Sequence, residues 1–322
     1  MSNNFVVLDC DTGSDDAWAL LFLLKADRVK KVKLLGVTCV NGNTTVENAV
    51  ENTLKILELS NRSDIPVYKG STSPLIPTPR APDFPDFHGS DGFGCLPSKQ
   101  KTVLSPKGES SVQALYEFAC QYPKQVSYLL VGPLTNFALC LKVYQDFYNK
   151  VKDVFIMGGN SKGMGNTTKS AEFNFYSDPE AAHIVLSESR LTINILPWET
   201  CLLDTFMISL DWRLNVLGSH EHKAVQLLND VEKVQYSKFN IADWTVCDAF
   251  LAAAFLFPEK FVIKDSFWNA TVELHGGLTR GQMVLDHLRK DETNVRIIEK
   301  LNLEFFKQIA LWSVDHEDFI EL

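Results

Sequence analysis

The chain has 322 residues and a formal net charge of −9 at pH 7, and 45% of its residues are hydrophobic. Its length and apolar content allow one large α/β domain or two smaller ones, with a substantial core. The acidic balance argues against a surface that binds nucleic acid or an anionic membrane, and we expect neither as a partner.

The cysteines and the amino terminus indicate the compartment. Seven cysteines are scattered along the chain without a C-x-x-C pair, which is typical of a reducing environment rather than a disulfide framework. No apolar run is long enough to span a membrane, and the first residues enter a strand without a secretion signal. We therefore expect a cytoplasmic protein.

The first predicted strand ends in an acidic turn. Residues 5–8 are apolar and predict a buried strand, and residues 17–24 predict a helix. Between them, around the turn residue Gly13, lie Asp9, Asp11, Asp15 and Asp16. Burying like charges is costly unless protons or a cation neutralise them. The plainer interpretation is an acidic cap for the next helix, but hard oxygen ligands favour a Ca²⁺ or Mg²⁺ site.

The following segments alternate between strands and helices. Apolar runs predict strands at residues 32–39, 65–68, 126–131, 151–157 and 191–196. Thr44 and Glu47 form a predicted capping box for a helix that extends to Leu59, and Asp178 and Pro179 predict the start of another helix. Repeated prolines between residues 71 and 110 exclude regular structure over most of that segment, as in a lid or binding loop.

The last third of the chain has a different pattern. We predict mostly helix over residues 198–256, a hairpin over 270–286 and a final helix over 293–313. The chain as a whole predicts an α/β fold: an open, mainly parallel, Rossmann-like sheet flanked by helices, with a mostly helical C-terminal portion. Such sheets bind ligands at the carboxyl ends of their strands. The acidic turn and the loops at 40–43 and 132–136 follow strands, so we expect them to converge.

A second acid stands out in an apolar helix. Residues 245–257 are apolar on nearly every side except at Asp248. A buried carboxylate needs a partner, because an unpaired buried charge is not tolerated. Asp248 is therefore a candidate to join the acidic turn, although a helix dipole or an arginine could also satisfy it.

These motifs together resemble the inosine–uridine nucleoside hydrolase family over nearly the whole chain. The segments that carry the resemblance are DCDTGSDDA, VNGN, HGSDG, VGPLTN, MGGN…AEFN and CDAFLAAA. The resemblance implies a single nucleoside hydrolase domain over residues 1–322 that hydrolyses ribonucleosides to ribose and free base. It also implies one tightly bound Ca²⁺ and a homodimer or homotetramer.

The resemblance also implies roles for individual residues. The metal ligands would be Asp11, Asp16, Asp248, the main-chain carbonyl of Val131 and, bridging metal and ribose, Asp15. The remaining residues that hold the ribose would be Asn43, Asn166, Glu172 and Asn174. Since Glu172 and Asn174 are two residues apart, they would face one side of an extended segment. Asp9 would lie behind the metal ligands, and His88 near the leaving base.

Hydrolysis of an N-glycosidic bond requires a general base and a group that activates the leaving base. Cleaving an N-glycosidic bond needs an activated water, and Asp11 is our candidate to take its proton. Many relatives carry a histidine just before the last calcium aspartate, where this chain has Cys247. A thiol can donate a proton, but it is a weak hydrogen-bond donor, and a cysteine that only packs is equally compatible. Further candidates for stacking or a hydroxyl are Trp244, Tyr236, Trp198 and Phe87.

Two other interpretations stay open. Asp9-x-Asp11 after a strand is also typical of haloacid-dehalogenase-like phosphatases, although that family has threonine where Gly13 stands. Alternatively, the protein binds calcium and ribose without turnover, because Cys247 replaces the histidine. The sequence leaves open the base preference and the choice between nucleoside and nucleotide.

Overall fold

The computed structural model describes residues 4–77, 87–96, 101–202 and 208–315. The strands are β1 (Phe5–Cys10), β2 (Lys33–Cys39), β3 (Val67–Lys69), β4 (Val126–Leu130), β5 (Asp153–Met157), β6 (Ile193–Leu196), β7 (Ile208–Ser209), β8 (Asp243–Trp244), β9 (Val262–Trp268), β10 (Ala270–Val272), β11 (Met283–Leu285) and β12 (Val295–Leu301). The helices are α1 (Ser14–Arg28), α2 (Val46–Leu59), α3 (Ser111–Gln121), α4 (Thr135–Val143), α5 (Phe147–Lys150), α6 (Phe173–Ser177), α7 (Pro179–Ser187), α8 (Trp198–Cys201), α9 (Leu210–Asn215), α10 (Lys223–Phe239), α11 (Cys247–Leu256), α12 (Pro258–Phe261) and α13 (Leu303–Val314). Within these ranges, no helix combines the length and apolar character needed to cross a membrane.

One large sheet organises the fold. Its strand order is β3-β2-β1-β4-β5-β6-β12-β9, and all neighbours are parallel except β12 and β9. The predicted α/β class with a mainly parallel sheet is confirmed. Chain order reverses between β1 and β4, and open α/β sheets bind ligands in the crevice at such a point.

Helices cover both faces of the sheet, as the sequence of β1 requires. Val6, Leu8 and Cys10 belong to one apolar cluster, whereas Phe5 and Val7 belong to the cluster on the opposite face. Successive side chains of a strand point to opposite faces, so a strand buried on both sides is apolar throughout.

Some element boundaries differ from the predictions. The final helix begins at Leu303 rather than near residue 293, because β12 occupies residues 295–301 and pairs with β6 and β9. The cap of α2 is Thr45, whose side chain accepts the backbone N–H of Asn48, so the predicted box at Thr44 is one residue early. The predicted hairpin is confirmed by the antiparallel pair β10–β11, and Asp178 caps α7 as expected.

Two buried helices bring distant acids to one place. α1 carries Asp15 and Asp16 in its first turn, and α11 carries Asp248 in its first turn. The two helices pack against each other, and both are buried along nearly their whole length. Their amino-terminal turns therefore present three carboxylates where helix dipoles favour negative charge.

Candidate active site

The acids predicted as metal ligands meet at the carboxyl end of β1. Ligand atoms of Asp15, Asp16 and Asp248 all lie within 4.8 Å of one another. Asp11 joins them, since its backbone N–H donates to Asp16 Oδ1 at 3.1 Å. Such a cluster of hard oxygen atoms can hold a metal ion.

The electrostatics of the cluster also fit a cation. Burial, reinforced by neighbouring acids, raises the pKa of Asp11 and of Asp248 well above the usual range. Burial likewise raises the pKa of Asp16 to about 7. Within the described part of the chain, Oδ1 of Asp11 and Oδ1 of Asp15 are buried without a hydrogen-bond donor. Buried acceptors are normally satisfied, and a divalent cation would satisfy them and lower these pKa values.

Backbone groups hold the acidic turn in place. Asp11 Oδ2 accepts the N–H of Asn43 at 2.6 Å, and Asp16 Oδ2 accepts the N–H of Gly13 at 2.8 Å. A side chain at Gly42 would overlap Asp11 Oδ2, so the VNGN loop needs glycine there. Asp16 thus also caps its own helix, and the capping and metal interpretations are compatible.

His88 lies against this turn. Its Nδ1 accepts the backbone N–H of Ser14 at 3.4 Å, and its Nε2 is 3.7 Å from Asp15 Oδ1. The ring covers Gly13 so closely that a side chain there would overlap it. Asn52 links the same turn to the His88 loop, because its Nδ2 donates to the carbonyls of Thr12 and Asp91, both at 2.9 Å.

Glu172 and Asn174 line the site, but their secondary structure differs from the prediction. They do not lie on an extended segment: Glu172 caps α6, and Asn174 is within that short helix. The Glu172 carboxylate accepts the N–H of Gly159 and of Asn174, each at 2.8 Å, and that of Phe175 at 3.1 Å. Burial raises the pKa of Glu172 to about 7.

Asn174 also contacts the carbonyl predicted as a metal ligand. Its Nδ2 donates to Val131 O at 2.9 Å and to Met157 O at 3.1 Å. These bonds engage the NH₂ group of Asn174 and thereby orient its amide oxygen. The ends of β4 and β5 thereby fix this side chain beside the acidic cluster.

A cavity of about 540 Å³ joins these groups. The predicted site residues that line it are Asp15, Asn43, His88, Val131, Asn166, Glu172, Asn174, Cys247 and Asp248, and the predicted aromatic residues that line it are Phe87, Trp198 and Tyr236. Asp11 and Asp16 lie behind this wall and are fully buried. The lining therefore combines acidic and polar side chains with aromatic and apolar ones.

The structure contradicts the predicted substrate contact of Trp244. Its side chain is fully buried in the core, and its indole N–H donates to Glu232 Oε1 at 3.0 Å. Trp18 donates to the same atom at 2.9 Å, and Arg213 forms a buried ion pair with Glu232 at 2.7 Å. Glu232 is only 12 residues from Trp244 in the sequence, but it is 214 residues from Trp18. The local sequence therefore does not show that these three side chains meet in the core.

Cys247 lines the cavity one residue before Asp248. The neighbouring Cys201 thiol, together with burial, raises the pKa of Cys247 well above its usual range. The thiol therefore stays protonated near neutral pH. It can donate a proton or hydrogen bond, but it cannot serve as a base.

Two supporting residues escaped the sequence analysis. Asp9 Oδ2 accepts from Asn136 Nδ2 at 2.8 Å, and Asn136 Nδ2 also donates to Cys39 O at 3.0 Å. Asn136 thus connects the turn after β4 to the ends of β1 and β2, which confirms that these loops converge. Its place at the end of the VGPLTN turn was the available signal. The second residue is Glu199, in helix α8.

Comparisons with known proteins agree with this geometry. The sequence profile of the inosine-uridine preferring nucleoside hydrolase family matches residues 6–308. A probable uridine nucleosidase 2 of Oryza sativa subsp. japonica is 32% identical over 291 residues, covering 87% of this chain and 81% of that protein. A pyrimidine-specific ribonucleoside hydrolase of Escherichia coli O81 is 30% identical over 284 residues, covering 88% of each chain.

A solved structure extends the likeness to three dimensions. The structure of an inosine-guanosine nucleoside hydrolase superposes with a TM-score of 0.85 at 25% sequence identity, and it covers 96% of this chain and 98% of its own. Sequence profile, curated relatives and fold therefore agree over nearly the whole length. The chain belongs to the inosine-uridine preferring nucleoside hydrolase family.

Proposed function

We propose that this protein hydrolyses the N-glycosidic bond of ribonucleosides to ribose and free base, with Ca²⁺ as its metal. The observation that carries the proposal is the cavity in which the acidic cluster faces Asn166, Glu172 and Asn174. A metal beside several polar groups suits a polyhydroxylated sugar, and the aromatic and apolar side chains of the same cavity suit a flat base. The cytoplasmic location and the homodimer or homotetramer stay predictions.

Oxygen ligands of mixed origin favour Ca²⁺ over Mg²⁺ in this proposal. Asp11, Asp16, Asp248 and the carbonyl of Val131 would hold the ion, with Asp15 at its cavity side. Ca²⁺ accepts six to eight oxygen ligands in flexible geometry, including backbone carbonyls. When bound, the cation supplies a Lewis acid that makes water a better nucleophile and orients the ribose hydroxyls.

Asp11 is the proposed proton acceptor. Its Oδ2 is held by the N–H of Asn43, whereas its Oδ1 has no donor within the described chain. One oxygen is thus anchored, and the other is available to the attacking water. Fixed orientation of the acceptor is what general base catalysis requires.

The leaving base would meet Cys247 and the aromatic wall. Because the Cys247 thiol stays protonated, it can donate to a ring nitrogen or oxygen of the base as the bond breaks. The Tyr236 hydroxyl is engaged with the backbone of Thr245, donating to its carbonyl at 3.1 Å and accepting its N–H at 3.2 Å. We therefore assign Tyr236 to holding the segment before α11, and we assign stacking on the base to Trp198 and Phe87.

The charge of the cavity favours nucleosides over nucleotides. Four carboxylates line it, from Asp15, Glu172, Asp243 and Asp248. No lysine or arginine lines it within the described ranges, although phosphate groups are usually bound by cations or helix amino termini. A phosphorylated substrate would bring negative charge toward carboxylates, which is unfavourable.

The residues that line the cavity argue against the phosphatase interpretation. A phosphatase must hold a phosphate group beside its nucleophilic aspartate, but no lysine or arginine lines the cavity within the described ranges. Oδ2 of Asp9 is also engaged, since it accepts from Thr38 Oγ1 at 2.5 Å and from Asn136 Nδ2 at 2.8 Å. The remaining alternative is a protein that binds calcium and ribose without turnover.

A nucleoside panel tests the proposed function. Uridine, cytidine, inosine, guanosine and adenosine would be incubated with the protein in Ca²⁺, and free ribose would be measured as reducing sugar. We expect ribose from at least one nucleoside and far less from the corresponding 5′-phosphate. If calcium and nucleosides bind but no ribose appears, the binding-protein alternative replaces hydrolysis.

Removing the metal should destabilise the protein in a pH-dependent way. Burial raises the pKa of Asp9 and of Asp16 to about 7, from 3.8. Between these values the folded state binds more protons than the unfolded state, so stability falls as pH rises from about 4 to 7. We expect the Tm in a chelator to fall over this range, and added Ca²⁺ to restore Tm most strongly at pH 7.

Metal analysis completes that experiment. The purified protein should contain about one Ca²⁺ per chain, and a free concentration of 100 Kd should stabilise it by about 2.7 kcal/mol. Mg²⁺ and Zn²⁺ at matched concentrations serve as controls. A chain without bound metal, whose Tm is the same in chelator and in Ca²⁺, would refute the metal site.

A further inference from the structure

The loop after β5 is fastened by a buried carboxylate outside the cavity. Glu199, in the short helix α8, is only 3% exposed. Its Oε2 accepts the N–H of Ser161 at 2.9 Å, and its Oε1 accepts the N–H of Lys162 at 2.7 Å and of Met164 at 3.2 Å. A buried carboxylate is costly unless it is well hydrogen-bonded, and these charge-assisted bonds are the strong kind.

The side chain of Asn160 anchors the same loop through further hydrogen bonds. Its Nδ2 donates to the carbonyls of Met164 and Ser170, at 3.3 Å and 2.5 Å, and its Oδ1 accepts the N–H of Met283 in β11 at 3.0 Å. Both ends of the loop 160–171 are therefore anchored. Between the anchors, the loop carries Asn166 into the cavity wall.

Asn166 presents an oxygen that still requires a donor. Its Oδ1 is buried, and no donor within the described residues reaches it. Its backbone N–H donates to Ala171 O at 3.2 Å, so its main chain is fixed by the loop itself. A sugar hydroxyl entering the cavity would complete the hydrogen bonding of this oxygen.

Helix α8 couples the loop to the rest of the cavity. The backbone N–H of Trp198 donates to Gly159 O at 3.0 Å, and the Trp198 side chain lines the cavity. The same helix also packs against α11, in which Cys247 lies. Helix α8 therefore contacts the loop 160–171 through Glu199, lines the cavity through Trp198 and packs against α11.

We propose that Glu199 is a positioning residue that acts through Asn166 to bind the ribose. The inference rests on the proposed function, because Asn166 acts on a sugar only if a ribonucleoside is the substrate. Glu199 does not touch the cavity. Its three backbone hydrogen bonds fix the loop so that Asn166 Oδ1 meets the sugar without a further ordering cost.

Glu199→Gln tests this role. Glutamine keeps the size of the side chain but replaces one acceptor oxygen with an NH₂ group, which cannot accept a backbone N–H. We expect KM for the best nucleoside to rise about 10- to 100-fold, in line with the loss of a residue that orients a binding group. We expect kcat to change less than about 3-fold, because an interaction made equally in ground and transition states affects KM alone.

Glu273→Gln is the matched control. Oε1 of Glu273 also accepts two backbone N–H groups, of His275 at 2.7 Å and of Gly276 at 3.0 Å, and Glu273 does not line the cavity. The same chemical change there should leave KM within about 2-fold. An equal rise of KM in both variants, or a fall of kcat with KM unchanged in Glu199→Gln, would overturn the proposal.

A double-mutant cycle tests whether Glu199 acts through Asn166. If it does, Glu199→Gln should cost little further kcat/KM once Asn166→Ala has removed the binding group. Additive losses would overturn the coupling. If Glu199→Gln does not fold, Glu199→Asp carries the test, with an intermediate rise of KM as the expected result.

Hydrogen exchange gives a readout independent of activity. The amides of Ser161, Lys162 and Met164 should exchange faster in Glu199→Gln than in the wild type, and at unchanged rates in Glu273→Gln. Unchanged exchange in Glu199→Gln would refute the anchoring. If the wild type hydrolyses no nucleoside, the proposed function fails and the effect of Glu199 on KM fails with it, whereas faster exchange would still establish the anchoring.

Discussion

Asp11→Asn should lower kcat for the best ribonucleoside by about 10²- to 10⁴-fold, the range that general acid–base catalysis contributes. The structural reason lies in the two carboxylate oxygens. Oδ2 accepts the N–H of Asn43 at 2.6 Å, so an asparagine keeps that bond only by using its single oxygen there. Its NH₂ group then faces the position of the attacking water, and an amide cannot take the proton.

The effect must be separated from loss of the metal or of the fold. Asp11→Asn should still contain about one Ca²⁺ per chain when Ca²⁺ is saturating, and KM should change far less than kcat. Asp178→Asn is the matched control, since Asp178 is likewise buried but caps α7 outside the cavity. We expect that variant to lose stability without losing kcat. Full turnover by a metal-loaded Asp11→Asn enzyme would remove Asp11 from the mechanism.

The parts of the site that follow strands were predictable from sequence. The acids after β1, the VNGN loop after β2 and the turn after β4 occur where open α/β sheets bind ligands. Their side chains converge because parallel strands end at one edge. Asp248 was detectable for a different reason, since a single carboxylate in an apolar helix demands a partner.

Other features depend on contacts that periodicity does not encode. The short helix α6 begins at Phe173 because Glu172 accepts backbone N–H groups of its first turn, whereas spacing alone suggested an extended segment. In β12 the buried residues Val295 and Ile297 alternate with Arg296, but helix α13 follows almost at once. The sequence of the two elements together therefore fits a single helical pattern.

The aromatic residues show the same limit. The local sequences around Trp244 and Trp198 do not show which side chain lies in the core and which one lines the cavity. The difference arises from Glu232, which accepts the indole N–H of Trp244 within the core. Glu199 was equally hidden, because its hydrogen bonds go to backbone groups whose side chains carry no signal.

2′-Deoxyuridine should be a poorer substrate than uridine by about 10⁴-fold in kcat/KM, if uridine is hydrolysed. The acidic cluster and the residues proposed to bind ribose are polar and largely buried. Glu172 is only 2% exposed and Asn174 only 5%. A site built to hydrogen-bond a hydroxyl rejects an analogue without it by about 10⁴- to 10⁵-fold, because its own buried polar groups are then left unpaired.

The discrimination should depend on the residues assigned to the sugar. Asn174→Ala removes the amide that donates to the carbonyls of Val131 and Met157. A substrate without the 2′-hydroxyl then leaves fewer buried polar groups unpaired, so its loss of kcat/KM is smaller. We therefore expect kcat/KM for uridine to fall more than kcat/KM for deoxyuridine, which narrows the ratio between them. The Glu273→Gln variant, altered outside the cavity lining, should keep the wild-type ratio. Equal kcat/KM for the two nucleosides in the wild type would contradict the ribose site, because a cavity that ignores the 2′-hydroxyl cannot be using these buried groups to bind it.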